Sequence, residues 1–117
     1  MSTERVYIDY LEDILDALAK STQFIIGMTF EQFCADDRTI FAVIRTLEII
    51  GEATKQLPKT LLDKYPGVPW RDITRMRDKL AHHYFGVDLS VVWKTVTEDV
   101  PALMPIIQRI LEEVKSE

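Results

Sequence analysis

His82 and His83 are the only histidines in the sequence, and they lie in the stretch RMRDKLAHHYFG at residues 75–86, directly after its cation-rich part. An imidazole gains and loses protons near neutral pH, so this stretch is the first candidate for an active site. Asp78 precedes His82 by four residues, and on a helix its carboxylate could orient the ring and raise its basicity. Two histidines in the last turn of a helix could equally interact with the helix dipole and the terminal carbonyls. The residues alone leave both interpretations open.

Several charged groups of this region share one helical face. At roughly 100° per residue, a sector of roughly 60° holds Arg71, Arg75, Asp78 and His82, with Lys79 at its edge. The formal net charge of −5 argues against a protein that binds nucleic acid through bulk electrostatics. Any contact with RNA or DNA is therefore predicted at this local patch.

Arg77 does not share that face. It lies about 140° around the helix from His82, on the side of Ile73 and Tyr84, which is predicted to be packed. A guanidinium there needs an acidic partner on another helix or on a second chain. This position therefore suggests a helix–helix or subunit interface.

Two glutamates on the third predicted helix, Glu48 and Glu52, are candidates for that acidic partner. They could pair with Arg77 or line a cleft. They could also belong to a solvated face and pair with Arg45 and Lys55, which is the simpler interpretation.

A metal centre is disfavoured by the pattern. His82 and Asp78 would supply two ligands, but no second pair of this kind and no cysteine cluster completes a coordination sphere. The sequence also lacks a glycine-rich phosphate loop and a nucleophilic serine motif. No metal and no cofactor are predicted.

The elements that must position these residues are helices. Apolar residues at three- and four-residue spacings predict long helices over 3–27, 38–57, 69–84 and 89–115, with short helices after Thr29 and Pro58. Predicted start signals are a capping box at Thr29–Gln32, a cap at Asp36 or Asp37, and Asp88 before the last helix. The predicted terminators are Gly27 and Gly86. The predicted fold is therefore all-α, an antiparallel bundle of four main helices with one or two short extra helices.

The spacing also predicts which residues of these helices face inward and where the last helix bends. The predicted inward stripe of the third helix is Ile40, Phe41, Ile44, Leu47, Ile50 or Gly51, and Thr54. Phe24 or Ile25 ends the first stripe, and Val91 or Val92 begins the last one. Pro101 is predicted to kink the last helix. Gly51 is expected to permit close approach by another helix, the alternative being a tolerated defect in the helix.

Bulk properties fit one soluble domain over 1–117. A chain of 117 residues is too short for two domains with separate cores. The single cysteine, Cys34, excludes an internal disulfide and fits a reducing compartment. No export or membrane-spanning segment is visible, and the protein is placed in the cytoplasm.

Three segments carry a family resemblance. RDKLAHHY fits the pattern Arg-x4-His-x-Tyr, with Arg77, His82 and Tyr84 in the named places. Together with RTLEIIGEATKQL at 45–57 and YPGVPW at 65–70, and continuing into VVWKTVTEDVPAL, the chain resembles the HEPN superfamily. Within it, the chain is most similar to the HepT-like toxins that are paired with minimal nucleotidyltransferase antitoxins.

The resemblance implies a homodimer with the motifs near the interface and metal-independent cleavage of RNA. Arg77 and His82 would be the catalytic pair, and Asp78 would orient one of them. A ribose 2′-OH would attack the adjacent phosphate and leave a 2′,3′-cyclic end. His82 would act as base or acid, and Arg77 would hold the phosphate and stabilise its charge. Arg71, Arg75 and Lys79 are expected to bind RNA, and His83 is expected either to contact RNA or to have a structural role.

The resemblance also implies a means of silencing. The partner nucleotidyltransferase would transfer AMP to Tyr84, which puts a bulky negative group near the cleft and repels RNA. Such a pair is a type VII-like toxin–antitoxin module. The alternative is a non-catalytic helical module that docks on a nucleotidyltransferase and presents its substrate. A purely structural helical dimer is a third hypothesis.

Overall fold

The computed structural model describes residues 3–75 and 87–117, and all regular structure within these ranges is helical. The predicted all-α class is confirmed for this part of the chain. The elements, in chain order, are α1 (Thr3–Phe24), α2 (Phe30–Cys34), α3 (Asp37–Lys55), α4 (Lys59–Leu62), α5 (described over 70–75), α6 (Leu89–Lys94), a π-helical turn (Thr95–Asp99) and α7 (Val100–Ser116).

Short polar residues begin the helices where the sequence predicts them. Thr29 forms the predicted capping box: its hydroxyl accepts from the Gln32 N–H at 3.1 Å, and its own N–H donates to Gln32 Oε1 at 2.9 Å. Of the two candidates for α3, Asp36 is the cap and accepts from the Thr39 N–H at 3.1 Å. These bonds satisfy N–H groups that a helix start otherwise leaves unpaired.

A glycine ends the first helical stretch. Gly27 has a φ of 77°, a left-handed conformation that glycine adopts without steric cost. Helix α1 itself ends at Phe24, and a turn at residues 25–27 follows it. The first helical stretch therefore ends at Gly27, the predicted terminator. Ile25 is buried there, while Phe24 is 41% exposed, which settles that alternative.

The core lies where α1 packs against α3 and α7. Fully buried aliphatic side chains from all three helices form its centre, and Val43 among them lies outside the predicted stripe of α3. These are Leu11, Ile14 and Leu18 of α1, Val43, Leu47 and Ile50 of α3, and Ile107 and Ile110 of α7. Gly51 is also buried on α3, which is consistent with its predicted role in helix packing.

The prediction that Phe41 faces inward is wrong. Its side chain is 70% exposed, whereas Val43 and Leu47 on the same helix are fully buried. Phe41 is about 160° around the helix axis from Val43, so both cannot face the same core. Hydrophobicity alone suggested an inward position that the angle does not allow.

The chain from residue 89 to 116 is helical throughout but not uniform. A π-helical turn at Thr95–Asp99 joins α6 to α7, and the Val100 N–H donates to the Thr95 carbonyl. Pro101 follows in the first turn of α7, where its missing N–H is tolerated. The predicted kink at Pro101 stays a prediction. At the start of the segment, Val92 is the buried valine and Val91 is 55% exposed.

Across the described ranges, no helix combines the length and the apolar character needed to cross a membrane.

Candidate active site

Two of the sequence-predicted site residues, Arg71 and Arg75, belong to the described chain. Both lie on α5 and are exposed, while Ile73 between them is 5% exposed. The predicted division of this helix into a packed side and a cationic outer side is therefore confirmed up to Arg75. The remaining predicted residues, Arg77, Asp78, Lys79, His82, His83 and Tyr84, lie outside the described residues.

The first turn of α5 is anchored by Trp70. The indole is 9% exposed, and its Nε1–H donates to the Tyr65 carbonyl at 3.0 Å. The Ile73 N–H donates to the Pro69 carbonyl at 3.1 Å, which starts the helical hydrogen bonding. The hydroxyl of Thr74 also donates to the Trp70 carbonyl at 3.0 Å. The start of α5 is therefore fixed by packing and by hydrogen bonds.

Tyr65 connects this region to the C-terminal helix. Its hydroxyl donates to Glu113 Oε2 of α7 at 2.5 Å. The bond to Glu113, followed by partial burial and the negative charges of Glu113 and Glu117, raises the pKa of Tyr65 to about 12, while Arg109 opposes this change. The phenol therefore remains a protonated donor at neutral pH. Sequence reasoning missed this pair because 48 residues separate its members and no local pattern links them.

The chain after the candidate motif is fixed by a cap. Asp88 accepts from the Ser90 N–H at 2.9 Å and from the Ser90 hydroxyl at 2.5 Å, so the predicted cap is confirmed. These bonds from Ser90 lower the pKa of Asp88 and keep it ionised. Buried residues therefore lie on both sides of the motif in the sequence: Ile73 before it and Val92 after it.

The two glutamates of α3 have different surroundings. Glu48 lies 3.7 Å from Arg45, which is the simpler of the two predicted arrangements. Glu52 lines a groove of about 450 Å³ between α1 and α3, together with Tyr10, Asp13 and Ile49. Glu48 therefore belongs to an ordinary surface pair, and the predicted contact of either glutamate with Arg77 lies outside what the structure describes.

Within 3–75 and 87–117, no group of three or more His, Cys, Asp and Glu side chains is arranged to hold a metal ion. Cys34 is exposed and is a free thiol.

Comparison with known proteins gives one family and several relatives. The family model described as ribonuclease HepT-like matches residues 14–110. A protein of Thermococcus cleftensis, named as a probable HepT ribonuclease, is 53% identical over 100 residues, which cover 86% of this chain and 91% of that protein.

Two further relatives are named as candidate RNases. The one from Methanocaldococcus jannaschii is 44% identical over 108 residues, covering 92% of this chain and 89% of the relative. The one from Caldanaerobacter subterraneus subsp. tengcongensis is 42% identical over 106 residues, covering 91% and 95%. No solved structure matches the chain.

Proposed function

Because the chain belongs to the HepT-like ribonuclease family, we propose that it is an endoribonuclease that cleaves RNA without a metal ion or a cofactor. The observation that carries the proposal is the family match over residues 14–110, which includes the whole Arg-x4-His-x-Tyr motif. The relatives named as RNases, which align over nearly their full lengths, support the same activity.

The proposed reaction is a transesterification within RNA. His82 takes the proton from a ribose 2′-OH, and the 2′-oxygen attacks the adjacent phosphorus. The bond from phosphorus to the 5′-oxygen breaks, a proton passes to that leaving oxygen, and a 2′,3′-cyclic phosphate remains. Arg77 binds the phosphate and stabilises the charge that develops on its oxygens. Asp78 orients His82 or Arg77.

One imidazole cannot easily serve as base and acid in the same step. The second proton-transfer group is therefore proposed to come from the partner subunit of a homodimer. Arg71 and Arg75, exposed on α5 ahead of the motif, would add cations where RNA binds. Two such segments in one dimer would offset the net charge of −5 locally.

Purified protein should cleave RNA in the presence of excess EDTA, because the proposed chemistry needs only side chains. The products should carry 2′,3′-cyclic ends, which phosphatase leaves intact until acid opens the ring. Loss of cleavage on chelation, with recovery when a divalent cation is added, would contradict the metal-independent mechanism. If no preparation cleaves RNA but the chain binds a nucleotidyltransferase stably, the non-catalytic docking module is the better explanation.

Exposed apolar surface supports the homodimer. Phe41 is 70% exposed on α3, beside the half-buried Ile40 and Ile44. Aromatic side chains are enriched in subunit interfaces, where burial of their surface stabilises association. We propose that this part of α3 contributes to the contact between two copies.

Phe41→Asp should weaken dimerisation by tenfold or more, an effect of about 1.4 kcal/mol, because it places a carboxylate in that contact. Light scattering after size-exclusion chromatography over a range of protein concentrations measures the change. Ile26→Asp is the matched control, since Ile26 is 82% exposed on the turn after α1. A Phe41→Asp protein as dimeric as its parent would rule out this surface.

We propose that the protein is a cytoplasmic toxin of a type VII-like toxin–antitoxin module. Its activity would be silenced by AMPylation of Tyr84 by a minimal nucleotidyltransferase.

We also propose that the helix beginning at Trp70 completes an antiparallel bundle of four main helices with α1, α3 and the α6–α7 segment. The confirmed inward position of Ile73 supports this last point.

A further inference from the structure

Tyr65 makes contacts in two directions. Its hydroxyl donates to Glu113 Oε2 on α7 at 2.5 Å. Its carbonyl oxygen accepts from the Trp70 indole at 3.0 Å and from the Val68 N–H at 3.2 Å. A single residue thus links the C-terminal helix to the first residue of α5.

On the α5 side of this link, the residues bonded to Tyr65 are buried. Trp70 and Val68 are 9% and 8% exposed, so the carbonyl of Tyr65 is bonded to groups that the core fixes. A second interaction joins the same two regions: Lys64 Nζ lies 3.6 Å from Glu117 Oε1. The exposed ion pair is worth little by itself. The bond from Tyr65 to a carboxylate is the stronger constraint, since hydrogen bonds to charged groups are stronger than neutral ones.

The link matters because the candidate motif comes directly after the anchored residues of α5 in the sequence. Arg77 is two residues beyond Arg75, and His82 belongs to the same motif. Cleavage of a phosphodiester requires its attacking and stabilising groups to be held within a fraction of an ångström of the productive geometry. Because the sequence predicts one helix over 69–84, a small rotation of α5 about its anchored start would displace the motif and reduce catalysis without unfolding the protein.

We propose that Tyr65 is a positioning residue for RNA cleavage: its bonds to Glu113 and to the Trp70 indole hold α5 in the orientation that the catalytic pair needs. This inference rests on the proposed function, because it concerns the efficiency of that reaction. The phenol, whose pKa is raised to about 12, keeps its proton across the range in which RNA cleavage is measured. The hydrogen bond to Glu113 is the main cause of the raised pKa, followed by partial burial and the negative charges of Glu113 and Glu117, while Arg109 opposes the change.

Tyr65→Phe tests the link most directly, because it removes one oxygen and keeps the ring in place. We expect kcat to fall about tenfold while KM stays within about twofold of the parent value. Rates are measured at a temperature where circular dichroism shows both proteins fully folded. A residue that only adds stability would lower the melting temperature and leave the kcat of the folded protein unchanged.

Variants of Glu113 separate the hydrogen bond from general damage. Glu113→Gln keeps an acceptor oxygen and should retain kcat within about twofold of the parent, whereas Glu113→Ala should lose about as much as Tyr65→Phe. Glu113→Ala also removes the exposed ion pair with Arg109, where the nitrogen and oxygen lie 3.9 Å apart, but such a pair is worth little. Combining Tyr65→Phe with Glu113→Ala should therefore cause little further loss, since either change alone already breaks the bond between the two residues. Gly67→Ala is the control within the same connection, because an added Cβ meets no atom within 4 Å. It should keep the parent kcat.

Each outcome bears on a specific claim. If the parent cleaves RNA, His82→Ala does not, and folded Tyr65→Phe has the parent kcat, the positioning role is wrong and the proposed function stands. Equal losses for Glu113→Gln and Glu113→Ala would also overturn the hydrogen-bond explanation. If the parent does not cleave RNA, or His82→Ala cleaves as well as the parent, the proposed function fails and the positioning role fails with it.

Discussion

His82→Ala should lower the rate of RNA cleavage by about a thousandfold, because general acid–base catalysis by a positioned side chain contributes on the order of 10²–10⁴. Arg77→Ala should cause a loss on the order of 10²–10³, since it removes a charged donor from the developing phosphorane. Single-turnover cleavage of a fluorescently labelled RNA at saturating protein measures both effects. Single-turnover rates are the right measure because they exclude product release.

His83→Ala is the matched control for that experiment. It removes the neighbouring imidazole from the same stretch but is not assigned a role in the chemical step, so it should change the rate only a few-fold. All three proteins should remain folded and dimeric, as judged by circular dichroism and light scattering. A His82→Ala protein that cleaves RNA at the parent rate would show that the catalytic assignment is wrong.

Growth of a bacterial host provides a second readout of the same variants. Expression of the parent should arrest growth, and both His82→Ala and Arg77→Ala should abolish the arrest. Arrest by all three proteins would indicate toxicity that does not depend on RNA cleavage. This comparison separates the enzymatic hypothesis from the docking module and from the structural dimer.

Local signals in the sequence were sufficient for the starts of α2, α3 and α6 and for the end of the first helical stretch. Thr29, Asp36 and Asp88 each cap a helix through a bond to a residue two or three positions away, so the whole interaction lies within a short stretch of sequence. Gly27 is equally local, because its left-handed φ is a property of one residue. The all-α class followed from helical spacing for the same reason.

Burial was harder to predict where the hydrophobicity of a residue disagreed with its angular position around the helix. Phe41 is hydrophobic enough for the core but projects away from it, and only the position of Val43 and Leu47 on the opposite side of α3 decides the matter. The predicted stripe included the adjacent residues Ile40 and Phe41, so it could not decide which of them faces the core. A partner surface is one physical reason for a phenylalanine to face outward.

Contacts between distant residues could not be predicted at all. The bond from Tyr65 to Glu113 joins residues 48 positions apart, and neither residue type nor spacing reveals it. The π-helical turn before Pro101 is local but was not predicted either, because its hydrogen-bond pattern has no simple sequence signature. For the candidate site, the sequence supplied the motif and its cationic face, and the structure supplied the anchored start of α5 and the cap at Asp88.

Co-expression with a minimal nucleotidyltransferase should increase the intact mass of the chain by one adenylate on Tyr84. In that transfer, the Tyr84 oxygen attacks the α-phosphorus of ATP, the phenolic proton is lost to a base, and pyrophosphate leaves. Peptide mapping by mass spectrometry should locate the group. Tyr84→Phe should abolish the mass increase, and a catalytically dead nucleotidyltransferase should have the same effect.

The other tyrosines provide the matched controls. Tyr7, Tyr10 and Tyr65 are all half-buried, and the hydroxyl of Tyr65 is already bonded to Glu113. A phenol with a pKa raised to about 12 gives up its proton reluctantly, which makes Tyr65 a poor nucleophile. Tyr10→Phe and Tyr65→Phe should therefore keep the full mass increase. Modification at either of these tyrosines in place of Tyr84 would contradict the assignment.

Modification should also silence the chain, because the adenylate adds a negative charge and considerable bulk two residues after His82. Modified protein should cleave RNA at least about a hundredfold more slowly than unmodified protein, since repulsion of the RNA phosphates and blocked access act together. Tyr84→Phe should remain active in the presence of the nucleotidyltransferase, because it cannot accept the group. If fully modified protein cleaves RNA at the unmodified rate, the adenylate is a mark without inhibitory effect, and the antitoxin must act by binding.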